Sequence, residues 1–520
     1  MSKTTSRAFP RRRAALAVSA CASVLLCARP GRAAGQLPEG PPQAPDTTLY
    51  EVVIRNGRLM DPETGMNRRG WDVGIRNGVV ARMAPGPLRG ERVLDASGMV
   101  VTPGFIDPLS YPLNAVGMWY KLADGVTTNL ALHGGTTRPA THLSAMASLK
   151  PPIHYGAAYF VAADRVGLGL GPYDAAGPEQ IATLVRRADR AMREGAMAIS
   201  FSLEYYPGTT PEEVEALLEV AARHGAPAFF HVRYSTVYGG GGTNQEALEE
   251  VVGYARRSGV PIHIDHIHST GGTFSMAASL AYLAAARAEG VDVTADVYPY
   301  DYWATYLSSA RFSRGWEDRF RIGYDGLQLV CQESRLDSDG FQRARRIQGQ
   351  LAVAYAIPPE DVELAVRDPW VMIGSDGIIE PGRPGERDGC NNHPRASGAF
   401  SRFISEYVRV RRAIPLMEAI RKMTLLPAQR LEARVPALRR KGRLQEGMDA
   451  DLVVFDPRRI RDRATVLSPA EFSEGIAWVL VMGKIAVDEG QIRRDVRAGT
   501  TLRAETIVVA DRQAPEAPGR

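Results

Sequence analysis

Nine histidines occur in this 520-residue chain, all between His133 and His393. Two short stretches concentrate them. In "FFHVRYS", His231 and Arg233 stand two apart; in "IHIDHIHST", His266 and His268 share one alternation phase, while His263 and Asp265 take the other. Residues two apart on a strand project from one face. Neutral imidazole binds zinc through one ring nitrogen, so histidines on neighbouring strands can converge on a single ion. Asp376, after "VMIGS", adds a carboxylate able to take a proton. Leaving such groups unpaired in one cavity costs about 1–3 kcal/mol each, which argues for a function. Glu204, in "SFSLEYYPG", offers a carboxylate for a set of two His and one Glu, a known catalytic zinc arrangement. Asp296, Tyr298 and Tyr300 of "ADVYPYDYW" share a face near the same place. Arg395 has the planar fork that captures a carboxylate at two points.

These residues need a scaffold that aims them at one point. Eight β-rich runs alternate with helical periods: "GFIDPL", "TTNLALH", "IHYGAAYFV", "AMAISFS", "PAFFHVR", "PIHIDHIH", "DVTADVYPY" and "WVMIGSD". Such alternation predicts a parallel α/β fold, and eight units predict a closed (β/α)8 TIM-like barrel with its site at the carboxyl ends of the strands. "TPEEVEALLEVAARHG" illustrates the helices: Val214, Leu217, Leu218 and Ala221 recur at helical spacing, Thr210 can cap, and Gly225 can end it. The stretch of about 301–368 between the last two strands is too long for a bare loop and predicts an inserted lid or small subdomain. Short strands with Asn-Gly and Ser-Gly turns over 47–102, and a matching set over 441–510, predict one small β-sandwich built from both chain ends around a barrel spanning 103–440.

Arg11, Arg12 and Arg13, an apolar run from Ala14 to Ala28, and small residues to Ala34 have the order of a secretory signal over 1–34. Export, to the periplasm or the medium, is the expectation; the run is too short for a spanning helix. A lipid anchor at Cys21 is the alternative end of that signal. A Pro/Gly-rich linker follows over 35–46, and 511–520 reads as a disordered tail. The first 34 residues hold seven Lys or Arg and no acidic residue, leaving 56 basic against 58 acidic residues beyond them. A near-neutral chain gives no electrostatic case for nucleic acid and points to small polar ligands. Beyond the signal only Cys331 and Cys390 remain, which permits at most one bridge.

Taken in order, "PGFID", "DGVTTN", "YYPGTT", "FFHVR", "IDHIH", "DVYPY", "IGSDG", "HPRASGAF" and "KGRLQEGMDADLVVFDP" resemble the N-acyl-D-amino-acid deacylases (D-aminoacylases) of the amidohydrolase superfamily, from about Tyr50 to Ala498. The resemblance implies that His231 and His266 hold a tightly bound zinc, that Asp376 is the catalytic acid/base, that Arg395 grips the substrate carboxylate, and that Tyr298 or Tyr300 donates a hydrogen bond to substrate. Three departures stand out. The family's His-x-His after "PGFID" is Leu109 and Tyr111 here, which removes a second-metal position and implies one zinc per chain. The family's metal-binding cysteine falls at Gly134, with His133 just before it. His268 replaces a substrate-binding lysine. The remaining zinc ligand is therefore sought among Glu204, His133 and His268, with Arg233 and His268 as further substrate contacts.

The resemblance thus implies an amidohydrolase acting on N-acyl-D-amino acids or related small amides, with a metal-activated water and Asp376 as general base, and the N-terminal pattern implies that it is exported. Two alternatives stay open: a non-catalytic ligand-binding barrel, and an amidohydrolase for another C–N substrate such as a cyclic imide or a dipeptide.

Overall fold

The computed structural model describes residues 46–238 and 240–505. The signal over 1–34 with Cys21, the linker apart from Asp46, and the tail over 511–520 lie outside the described residues. All eight β-rich runs form strands: Phe105–Asp107, Val126–Thr136, His154–Phe160, Ile199–Ser202, Ala228–His231, Ile262–Ile264, Val293–Val297 and Val371–Ile373. They pair parallel in sequence order, so the fold is α/β with a nearly closed (β/α)8 barrel. First and eighth strands meet through their extensions. Asp376 N–H donates to Leu109 O at 2.7 Å, and Ser375 N–H to Asp107 Oδ1 at 3.0 Å. Buried Lys121 spans the same seam, its Nζ 2.6 Å from Asp107 Oδ2 and 2.5 Å from Ser375 Oγ.

The helix Pro211–Arg223 shows how the outer layer forms. Thr210 Oγ1 accepts from Glu213 N–H, Val214, Leu217, Leu218 and Ala221 are buried against the strands, and Gly225 leaves the helix at φ +59°. Each large side chain buried this way contributes about 1.5–3 kcal/mol.

Strands from both chain ends build a nine-stranded sheet, joined where Val100–Pro103 pairs antiparallel with Leu452–Phe455. Its core draws Ile54, Leu59 and Val73 from one end and Leu452, Trp478 and Leu480 from the other. Between the seventh and eighth barrel strands, Trp303–Tyr306, Leu327–Leu329 and Leu351–Ala354 make a separate antiparallel sheet. Cys331, just past the second of these, is disulfide-bonded to Cys390, so the insertion is tied to the loop leading to Arg395. Among the described residues no helix is long and apolar enough to cross a membrane.

Candidate active site

His231 ends the fifth strand, and His266 lies two residues beyond the sixth. His266 has φ +33° and Asp376 φ +48°, both in the left-handed region. Non-glycine residues there cost about 1–3 kcal/mol and persist only where surroundings hold them. His266 is held by its own N–H donating to Asp296 Oδ1 at 2.6 Å, and Asp376 by the Leu109 carbonyl. The chain leaves the strand at Ile264 and enters a short 3₁₀ turn at Ile267. Strict alternation therefore fails across 263–268.

His133, His231 and His266 converge, their facing ring nitrogens within 4.8 Å of one another. His231 Nδ1 and His266 Nε2 are 3.2 Å apart. Two nitrogens at about 2.0–2.1 Å from a tetrahedral zinc would stand about 3.3 Å apart, so this pair has the spacing that ion needs, with the His133 nitrogen within 4.8 Å of both. The outward nitrogens fit as well. His133 Nδ1 is 2.8 Å from Asp265 Oδ2, and His231 Nε2 is 2.8 Å from Glu204 Oε2. Carboxylates behind ligating imidazoles fix the tautomer and ring orientation. His133 reaches the cluster because the ladder between the second and third strands breaks register between Ala131 and Thr136, where Gly135 has φ +61°.

Burial lowers the pKa of His231 to about 4 and holds that of His266 well below the ordinary imidazole value, keeping both rings neutral and able to ligate. His133 differs. Burial opposes its protonation, but the carboxylates of Asp376, Asp265 and Asp296 outweigh it and raise its pKa.

Glu204 does not join the cluster. Its Oε2 also accepts from Ser235 Oγ at 2.6 Å and from Arg311 Nη1 at 2.8 Å, so the carboxylate stays on the far edge of His231. Burial alone would raise its pKa, yet the Arg311 charge and the bonds from His231 and Ser235 hold it below its ordinary value. The second histidine–carboxylate group, His263, Asp265 and Asp296, lies beneath the first. Asp296 Oδ2 meets His263 Nε2 at 2.8 Å while Oδ1 holds the His266 backbone.

Asp376 faces the cluster from across the barrel, Oδ1 3.7 Å from His133 Nε2 and Oδ2 3.7 Å from His266 Nε2. Arg395 Nη2 forms an ion pair with Oδ2 at 2.7 Å, and its Nε–H donates to the Asp376 carbonyl at 2.7 Å. Tyr111 donates its hydroxyl to Oδ1 at 3.2 Å. Burial and the Asp376 charge raise the Tyr111 pKa, which keeps that hydroxyl a donor. A cavity of about 430 Å³ opens onto this group, reached by Tyr111, His133, Tyr205, Asp376, His393 and Arg395.

The other expected substrate contacts do not reach the cavity wall. Arg233 is occupied elsewhere: its guanidinium donates to Glu250, Pro207 O and Thr209 O, fastening the loop after the fourth strand. Tyr300 lies under Arg402 and beside His393. Tyr298 is covered by Arg395 at 4.3 Å, and His268 packs edge-on against Tyr298 at 4.0 Å. Four buried polar atoms there have no hydrogen-bond partner: both His268 ring nitrogens, the Tyr298 hydroxyl and Arg395 Nη1. Sequence reasoning missed Asp265, which alternation had turned away, and Arg311, which arrives from the insertion.

Residues 309–487 match the Amidohydrolase family. The chain is 31% identical to an N-acyl-D-glutamate deacylase of Alcaligenes xylosoxydans xylosoxydans over 473 residues, covering 83% of this chain and 93% of the relative. It is 29% identical to a D-aminoacylase of the same organism, covering 84% and 94%. Among solved structures it is similar to the N-acyl-D-glutamate deacylase from Bordetella bronchiseptica complexed with zinc and a phosphonate mimic of the tetrahedral intermediate, at TM-score 0.74, 26% identity, and coverage of 88% of this chain and 100% of the other. A D-aminoacylase structure concerned with its binuclear metal centre matches at TM-score 0.72 and 25% identity, covering 87% and 100%. With that full-length likeness, the chain belongs to the D-aminoacylase family of the amidohydrolase superfamily.

Proposed function

We propose that this protein hydrolyses the amide bond of N-acyl-D-amino acids, or of closely related small amides, with one zinc ion per chain. The observation that carries the reading is the convergence of His133, His231 and His266 opposite Asp376 at the end of a solvent-reaching cavity. A zinc ion held by the three rings would polarise the amide carbonyl and bring the pKa of water near neutrality. Asp376 would take a proton from the attacking water and return it to the departing amine nitrogen. Its two oxygens lean toward different histidines, so a short movement of the proton suffices. Arg395 supports recognition of the acid: Nη1 is buried without a partner and can meet the substrate carboxylate. The stereochemistry and the acyl group come from the relatives, one an N-acyl-D-glutamate deacylase and another a D-aminoacylase.

Export is part of the proposal. The Cys331–Cys390 bridge supports it, since structural disulfides persist in oxidising compartments. Metal analysis of the purified protein, followed by a screen of paired N-acyl-D- and N-acyl-L-amino acids, tests the reading. About one zinc per chain and turnover of the D series are expected. Metal-replete protein that turns over no N-acyl amino acid overturns it.

A further inference from the structure

Tyr111 and Gly134, with His133 beside it, depart from the family pattern at separate places in the sequence, yet they meet in space. A Cβ at position 134 would lie 2.7 Å from Tyr111 Cδ1, nearer than real Cβ atoms come to a neighbour. Any side chain there excludes the Tyr111 ring from its present place. In the same way, a Cβ at Gly374 would lie 2.4 Å from Leu109 Cβ. Tyr111 is fixed from behind by Asn129 Nδ2 donating to its carbonyl at 3.1 Å, and its ring stands edge-on to His133 at 5.6 Å. The hydroxyl that results is on Asp376 Oδ1.

The two oxygens of Asp376 are held by unlike partners. Arg395, on Oδ2, is the group suited to a substrate carboxylate, and it can leave Oδ2 when that acid arrives. Tyr111, on Oδ1, has no such competing role. We propose that Tyr111 is a positioning residue for Asp376, holding Oδ1 so that Oδ2 remains aimed at the reacting water after Arg395 turns to substrate, and that this arrangement depends on glycine at 134. The inference rests on the amide-hydrolysis reading above. It ties the two departures together: the Tyr111 ring occupies space that a side chain at position 134 would need.

Two measurements test it. Tyr111→Phe keeps the ring and removes the hydroxyl; kcat should fall about 10- to 100-fold, with KM and zinc per chain near wild type. An unchanged kcat makes Tyr111 a space-filler, and a matching loss of zinc makes it part of the metal's support; either overturns the positioning role. In metal-free protein, Gly134→Ala should lower Tm by about 2–10 °C, and by clearly less in a Tyr111→Ser background. Additive shifts would overturn the dependence on Gly134. A wild-type protein inactive on every N-acyl amino acid removes the parent reading and this role together, whereas wild-type kcat in Tyr111→Phe removes this role alone.

Discussion

Asp265 Oδ2 accepts from His133 Nδ1 at 2.8 Å, and that contact turns the other ring nitrogen of His133 toward His231 and His266. Glu204 makes the equivalent contact on His231. The two carboxylates thus stand behind imidazoles, and His133 supplies the third nitrogen. His133→Ala should therefore lose far more zinc affinity than Glu204→Ala, while Asp265→Asn should cost about 10- to 100-fold. Competition with a chelator of known affinity measures all three. Equal zinc affinity in wild type and His133→Ala would remove His133 from the metal site.

Asp376→Asn preserves shape while removing the proton acceptor and the charge that faces Arg395. Zinc content and fold should persist, and kcat should fall by about 10²–10⁴. Turnover near the wild-type rate would place the base elsewhere.

Much of this arrangement can be read from residue pattern, and its limits have physical causes. The eight strands announce themselves as β-branched and aromatic runs of the right length, and Thr210 and Gly225 bound their helix as capping chemistry requires. Side-chain partnerships that cross the barrel do not show in local pattern. Tyr111 and Asp376 are 265 positions apart, and Arg311 reaches Glu204 across 107. Tyr111 therefore reads only as a missing histidine, and Glu204 reads as a ligand because nothing in its neighbourhood discloses the arginine that holds it back. His133 depends on a register break that only the paired strands reveal.

Arg395 is engaged with Asp376 through Nη2 and keeps Nη1 unpaired. Arg395→Lys leaves a charge but cannot make two parallel bonds to a carboxylate. KM for carboxylate substrates should rise more than kcat falls, and amides of the same acids, lacking that charge, should be affected less. Steady-state kinetics on matched acid and amide pairs decides it. An unchanged KM for the acids would take Arg395 out of substrate binding.

The barrel is joined to the β domain through a buried ion cluster, and that junction should set the acid limb of stability. Asp451 accepts from Lys441 Nζ at 2.6 Å, from His154 Nε2 at 3.1 Å and from Met482 N–H at 2.8 Å. Burial alone would raise its pKa, but the charges and bonds of His154 and Lys441 outweigh burial and hold it well below the usual carboxylate range. A carboxylate whose folded pKa lies below its unfolded value of about 3.9 stabilises the fold in full above that value. The contribution is then lost progressively as pH falls below about 4. Asp451→Asn removes it at every pH and leaves Lys441 with Asp449 as its remaining carboxylate. The variant should lose about 1.5–3 kcal/mol at pH 7, and its Tm should fall less steeply than that of wild type below about pH 4. Thermal melts of both proteins from pH 7 to pH 3 supply the comparison, and parallel Tm curves across that range would show that the acid limb arises elsewhere.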